Sequence, residues 1–257
     1  DIMKSNKRLF SSISNDEMSI DYMIKMPKNV EVELNNKYGD IFINELSGKV
    51  LVDLKYGNIR INKLERGDAE NLNTLTIGYG SATISEVNWL KVEIKYGNLK
   101  IDKARAVVLL SKYSKVSVDK VNSVVVDSKY DGYNLGSISN LIGESGYTNF
   151  VVNDLSKKLN LTSKYGDVKV VNVADNFESI VFNGAYTGLK AGINSNVSYK
   201  IDAVVSYGNI KFDAPTSKIN RIEQNTSTEV SGVIGASENT NSKVYVRAKY
   251  GSVTLIK

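Results

Sequence analysis

Seven lysines stand immediately before a tyrosine: Lys37, Lys55, Lys95, Lys112, Lys129, Lys164 and Lys249. Lys95, Lys112 and Lys129 follow one another at intervals of 17 residues. If one interval is one structural repeat, these three ammonium groups form a row. Such a row repels itself modestly in water and less in salt. It is a ligand-binding candidate for a polyanion such as an acidic polysaccharide. It is also what an exposed sheet edge needs in order to stay soluble. Glu93, Asp127 and Glu144 lie near enough in sequence to neutralise part of it.

Carboxylates are the other chemistry on offer: Asp40, Asp53, Asp131 and Asp167. Cleavage of uronic-acid polymers needs acidic groups held together, and the spacing forces no two of these into proximity. Asp40 and Asp167 each stand two residues after a tyrosine, where turn chemistry alone favours Asp. No catalytic residue is therefore assigned. The chain has no His and no Cys, which excludes histidine and cysteine triads, thiolate zinc sites and disulfides. No Gly-rich calcium repeat or phosphate loop occurs, so neither metal nor cofactor is expected.

What must position these groups is a repeat. Tyrosines at 38, 56, 79, 96, 113, 130, 147, 165, 186, 207 and 250 share one apolar pattern. Positions three and five residues after the tyrosine are apolar or aromatic in every copy, for example Leu99 and Ile101 or Val116 and Val118. Six and four residues before it, ten of eleven copies are apolar, with Asn73 and Gly143 the respective exceptions. Alternation on both sides means strands. Gly follows the tyrosine in seven copies and reads as the source of positive φ at a sharp corner. The alternation points the tyrosine rings inward. It does the same for Ser111, Ser128, Ser145 and Ser163, two residues earlier. The 43-residue gap before Tyr250 suggests a degenerate copy near Thr228, with Ile222 and Val233 holding apolar places.

Eleven hairpins would demand about 22 strands, beyond the roughly 10 of ordinary open sheets. Propeller blades need periods of about 40–50 residues. A period of 17 to 23 suits one coil of a parallel β-solenoid, in which stacking supplies the core that no single coil has. The expected fold class is all-β, a single-stranded parallel β-helix of about 11–12 coils. Residues 1–27 do not fit the template and read as an N-terminal cap segment, through Phe10, Tyr22, Met23, Ile24 and Met26. Residues 28–257 read as one solenoid domain. The chain stops inside a good copy at Val253 and Leu255, which leaves that end uncapped and open to end-to-end self-association.

The same parity places an apolar stripe outside, comprising Val108, Leu110, Val125, Ile142 and Val181, with Val151 on the other strand. An outward apolar stripe needs a cover: the N-terminal segment, a second copy side by side, or a surface protein. Net charge +5 permits anionic partners without a nucleic-acid motif, so no nucleic acid is expected. No apolar run is long enough for a transmembrane helix. No signal peptide is visible, and the start at Asp1 reads as processed or trimmed.

The stretches Met26-Pro27-Lys28-Asn29 and Asn36-Lys37-Tyr38-Gly39-Asp40-Ile41, with the recurring Lys-Tyr-Gly-Asn/Asp-Ile theme, resemble a bacterial adhesin-domain family. The resemblance covers roughly residues 20–257. It implies a right-handed, pectin-lyase-like β-helix in an exported protein of the periplasm or cell surface. It carries no catalytic residues with it. The expected function is a non-enzymatic adhesin-like binding or scaffold protein that presents its surface to glycans or other polyanions. A pectin-like lyase or hydrolase on the same fold is the alternative, and a self-assembling structural protein the second.

Overall fold

Each tyrosine copy folds as its alternation demands, one strand before the ring and one after it. The computed structural model describes residues 20–67, 70–213 and 216–257. All regular structure among them is β. The first coil comprises β1 (Val32–Lys37) and β2 (Ile41–Leu46). The second comprises β3 (Val50–Lys55) and β4 (Asn58–Leu64). The third begins with β5 (Asn73–Gly78). Beyond it the strands run unbroken from one corner to the next, as β6 (Ser81–Lys95), β7 (Asn98–Lys112), β8 (Lys115–Lys129) and β9 (Gly132–Gly146). The longer β10 (Asn149–Val173) and then β11 (Ser179–Ala191) complete this run.

Every pairing in this series is parallel and joins equivalent positions, as in Leu99↔Val116↔Tyr133↔Phe150. The result is a β-solenoid of about nine turns, roughly 18 residues each. The expectation was 11–12 coils; nine tyrosine copies, from Tyr38 to Tyr186, stack in chain order, and the copies at Tyr207 and Tyr250 stack beyond them out of chain order, as described below.

Burial along β8 shows how one coil closes. Val116, Val118, Val121, Val124, Val126 and Ser128 face in. Asp119-Lys120 and Asn122-Ser123 each put two successive residues on the outer side. Each such pair breaks the period of two, so the strand turns there and the coil has three sides. The middle side contributes a core column eight residues after the tyrosine. It holds Leu46, Leu64, Val87, Ala104, Val121, Ile138, Leu155 and Val173, all buried.

Asn73 is buried in an otherwise apolar column because the third coil carries an insertion. Its Oδ1 accepts from Val50 N at 3.1 Å, and its Nδ2 donates to the carbonyls of Arg66 (2.9 Å) and Trp89 (3.2 Å). The side chain thus satisfies backbone groups that the insertion has taken out of the ladder.

The C-terminal quarter departs from chain order. The tenth tyrosine copy, β12 (Tyr199–Ser206) and β13 (Ile210–Phe212), is not in register with β11, whose partners are β10 and the strands of the last copy. The last copy lies between them: β16 (Lys243–Lys249) and β17 (Val253–Leu255) pair in parallel with β11 on one side and with β12 and β13 on the other. β14 (Ser217–Gln224) and β15 (Ser227–Ile234) form an antiparallel hairpin, and β15 adds antiparallel to β12. Two expectations are thereby corrected. The segment around Thr228 is one arm of a hairpin, not a degenerate coil. The C-terminal coil is interior, covered by β12 and β13, and the hairpin covers the outer edge of β12.

At the other end, Ser47 and Gly48 donate to the Lys28 carbonyl at 2.7 and 3.1 Å. Tyr22, Met23 and Ile24 are exposed, and Phe10 lies outside the described residues. No helix among the described residues is long and apolar enough to cross a membrane.

Candidate functional site: a tyrosine ridge beside a lysine row

The corner is made by the tyrosine itself. All eleven repeat tyrosines hold φ between 52° and 64°, the left-handed region that side chains normally avoid. The backbone reverses its facing there, so the rings point outward and are 40–71% exposed. The expectation of buried rings and of glycine as the strained residue is corrected by this geometry. Each corner is held by a ladder bond: Tyr79, Tyr96 and Tyr113 donate their N–H to the carbonyls of Lys95, Lys112 and Lys129 in the next coil, at 3.0–3.1 Å.

The outward rings stack into one column in the order 38, 56, 79, 96, 113, 130, 147, 165, 186, 250, 207. Centroids are 4.6–5.2 Å apart and ring planes lie within 16° of parallel. Stacking occupies the ring faces, so the ridge presents phenol edges and hydroxyls. Face-on stacking of a sugar is thereby confined to the two terminal rings.

Inside the corner, the residue after the tyrosine and the residue two before it share one space. Where the earlier residue is large, the later one is Gly. A Cβ on Gly57 would lie 2.0 Å from the Gly39 carbonyl oxygen and 3.2 Å from Leu54 Cδ1; on Gly97, 2.1 Å from the Gly80 oxygen and 3.2 Å from Ile94 Cδ1. In four coils where the earlier residue is small, a polar side chain fills the gap: Ser114, Asp131, Thr148 and Thr187 follow Ser111, Ser128, Ser145 and Gly184 respectively, and all four are buried, whereas Ser163 and Ala248 are followed by Gly166 and Gly251.

Asp131 is the hub of this interior. Its Oδ2 accepts from Ser111 Oγ (2.7 Å), Ser128 Oγ (2.6 Å) and Lys129 N (3.0 Å), and its Oδ1 from Ser114 N (2.7 Å). Tyr133 lies 2.6 Å from Ser111 Oγ, whose own proton is committed to Asp131, so the phenol is the donor. Burial pushes the Tyr133 phenol well above the usual tyrosine range, and the Asp131 charge adds to that. This carboxylate is spent on structure. The others do not join it: Asp40 and Asp167 sit at equivalent outer positions in the first and eighth coils, and Asp53 is on the second. No group of three or more His, Cys, Asp or Glu among the described residues could hold a metal ion.

Lys95, Lys112 and Lys129 are successive register partners, exposed beside the ridge. Gly78 and Gly146 bound the trio. None of the three makes an ion pair among the described residues. Glu93 instead pairs with Lys91 at 2.6 Å, and Leu110 interrupts the acidic column between Glu93 and Asp127. On the opposite flank runs an open trough of about 630 Å³. Its lining includes Lys100, Lys115 and the amides of Asn98, Asn134 and Asn149, and no carboxylate.

Val108, Val125 and Ile142 are also successive partners and face out, with Val125 and Ile142 among the exposed apolar residues. Leu110 lies one column over, between Glu93 and Asp127. Asn160 separates Val181 from Ile142, so Val181 is not continuous with the stripe. The exposed residues Tyr22, Met23 and Ile24 are not its cover.

Fold and site together define a parallel β-solenoid with an outward aromatic ridge and, beside it, a cationic row without ion pairs among the described residues. No family model matches the chain, and no curated protein or solved structure does either.

Proposed function

We propose that this protein is a non-enzymatic, adhesin-like binding scaffold that holds a linear polyanion along its long axis. The observation carrying this reading is the line of Lys95, Lys112 and Lys129, free of ion pairs among the described residues and set beside a column of phenol hydroxyls. Strands in a stack repeat at about 4.8 Å, so the row offers one positive charge per coil. A polymer carrying one carboxylate per sugar can meet such a row with repeated weak contacts that sum. Acidic polysaccharide is the proposed ligand class. The resemblance to the adhesin-domain family supports an exported protein, periplasmic or on the cell surface.

The test is size-exclusion chromatography with light scattering after incubation with polygalacturonate. Intact polymer should co-elute with the protein and separate in high salt. Replacing Lys95, Lys112 and Lys129 together by Glu should abolish co-elution without altering the far-ultraviolet circular dichroism. Separate elution of intact polymer and protein at low salt would overturn the polyanion reading. Shortened polymer would overturn the non-enzymatic one.

A further inference from the structure

The placement of the last coil makes the molecule depend on a segment that must arrive late. By chain order, β12 should stack directly on β11, since Tyr186 and Tyr207 are separated by an ordinary repeat of 21 residues. Instead the chain leaves one level empty, builds β12 to β15 beyond it, and returns to fill the gap with β16 and β17. The slot has a parallel strand edge on each side. It also has two shape conditions. A Cβ on Gly251 would lie 2.1 Å from the Thr187 carbonyl oxygen, and one on Gly208 would lie 2.2 Å from that of Gly251. The occupant must therefore be an extended segment with alternating apolar residues followed by Tyr-Gly. Lys243–Lys249 meets this with Val244, Val246 and Ala248 buried, followed by Tyr250 and Gly251.

We infer that this slot is a strand-exchange site whose alternative occupant is the same terminal coil of a second copy of the chain. The incoming segment is attached by residues 235–242, which contain no strand. Until it docks, two unpaired sheet edges stay open, and in a concentrated solution a neighbour's coil meets them on equal terms. Exchange of an identical element changes no contact inside the slot, which makes it a low-cost route to a dimer. Because the native coil is held from both sides, the choice between own and neighbouring coil is made during folding and then persists.

The experiment refolds the full chain from denaturant at low and at high concentration and measures mass by light scattering. A dimer should form at high concentration and remain after dilution. A Ser206→Cys/Lys249→Cys variant supplies the control, since these residues are register partners at the outer side and the chain has no other cysteine. Neighbouring strands lie within disulfide reach. Oxidising the folded monomer should close the slot covalently, and its refolding at high concentration with the disulfide intact should then give monomer alone. Reduction should restore the dimer. Monomer at every concentration, or a dimer that still forms with the disulfide closed, would overturn the proposal. Failure of the cysteines to couple in the folded monomer would overturn the strand placement on which it rests.

Discussion

Replacing Tyr113 separately by Ala and by Gly should resolve the two opposed energies at a corner. Tyr113 holds φ of 52° and stacks on Tyr96 at 5.0 Å and on Tyr130 at 4.8 Å. Each ring contact contributes about 0.5–1.5 kcal/mol, so losing both costs about 1–3 kcal/mol. The left-handed backbone costs a non-glycine residue about 1–2 kcal/mol. Alanine forfeits the stacking and keeps the backbone cost. Glycine forfeits the stacking and sheds most of that cost, offset in part by its greater freedom in the unfolded chain. The expected order of stability is Tyr, then Gly, then Ala, with Gly above Ala by about 0.5–1 kcal/mol. Tyr38, with one stacking neighbour, forfeits about 0.5–1.5 kcal/mol of stacking against the same backbone relief, so it should lose less on replacement by Gly. Urea unfolding followed by the single tryptophan, Trp89, and by circular dichroism reads these differences. Alanine equal to or better than glycine would refute the left-handed corner. Equal losses at Tyr38 and Tyr113 would refute stacking as the compensating energy.

Other outcomes follow from the corner interior and the surface pairs. Gly97→Val should destabilise severely, because its side chain meets the Gly80 carbonyl, whereas Gly132→Ala, with nothing within 4 Å, should stay within about 0.5 kcal/mol of the parent in urea. Asp131→Ala removes the acceptor of two backbone N–H groups and of the Ser111 and Ser128 hydroxyls, which keep Tyr133 and Thr148 as partners, and should cost about 1–3 kcal/mol for each donor left unpaired by the same assay. Hydrogen bonds from Lys28 and Lys158 hold the carboxyls of Glu45 and Glu178 below their usual range. The stability these carboxyls supply is complete above the ordinary carboxylate pKa and is lost as pH falls through the lowered values. Melting curves from pH 7 down to strong acid should show that loss. High salt should shrink it, since Glu178 is exposed and Glu45 half-buried beside an exposed Lys28, and a salt-insensitive loss would assign it elsewhere.

The core columns at three and five residues after the tyrosine were readable because stacking forces equivalent positions into one environment. Leu99, Val116 and Phe150 are buried as their alternation required. The column eight residues on was equally present in sequence, from Leu46 to Val173, but lies past a phase break that a simple alternation search does not cross. Assigning the corner failed for a definite reason. A Tyr-Gly pair needs one residue with positive φ, and intrinsic preference names glycine. Ring stacking between coils, which no local rule contains, moves it to tyrosine. The polar interior had a readable signal: serine two residues before the tyrosine accompanies a non-glycine residue after it in three consecutive coils. The lysine row was legible because 17-residue spacing maps directly onto register. The order of the last levels was not, since the copies at Tyr207 and Tyr250 fit either level of the stack and the return of the chain is a long-range choice.

The buried position of the last coil also changes how the solenoid bears load. A coil at a free end peels away one ladder bond at a time. Pulled from Lys257, this protein has to part β16 and β17 from β11 and from β12 and β13 together. The coil that ends at Leu255 is therefore a clamped anchor point. Force applied there is shared with the hairpin beyond it as well as with the nine turns behind it, and an opposing pull on the first coil, held among the described residues on one side only, unravels that coil before the last one yields.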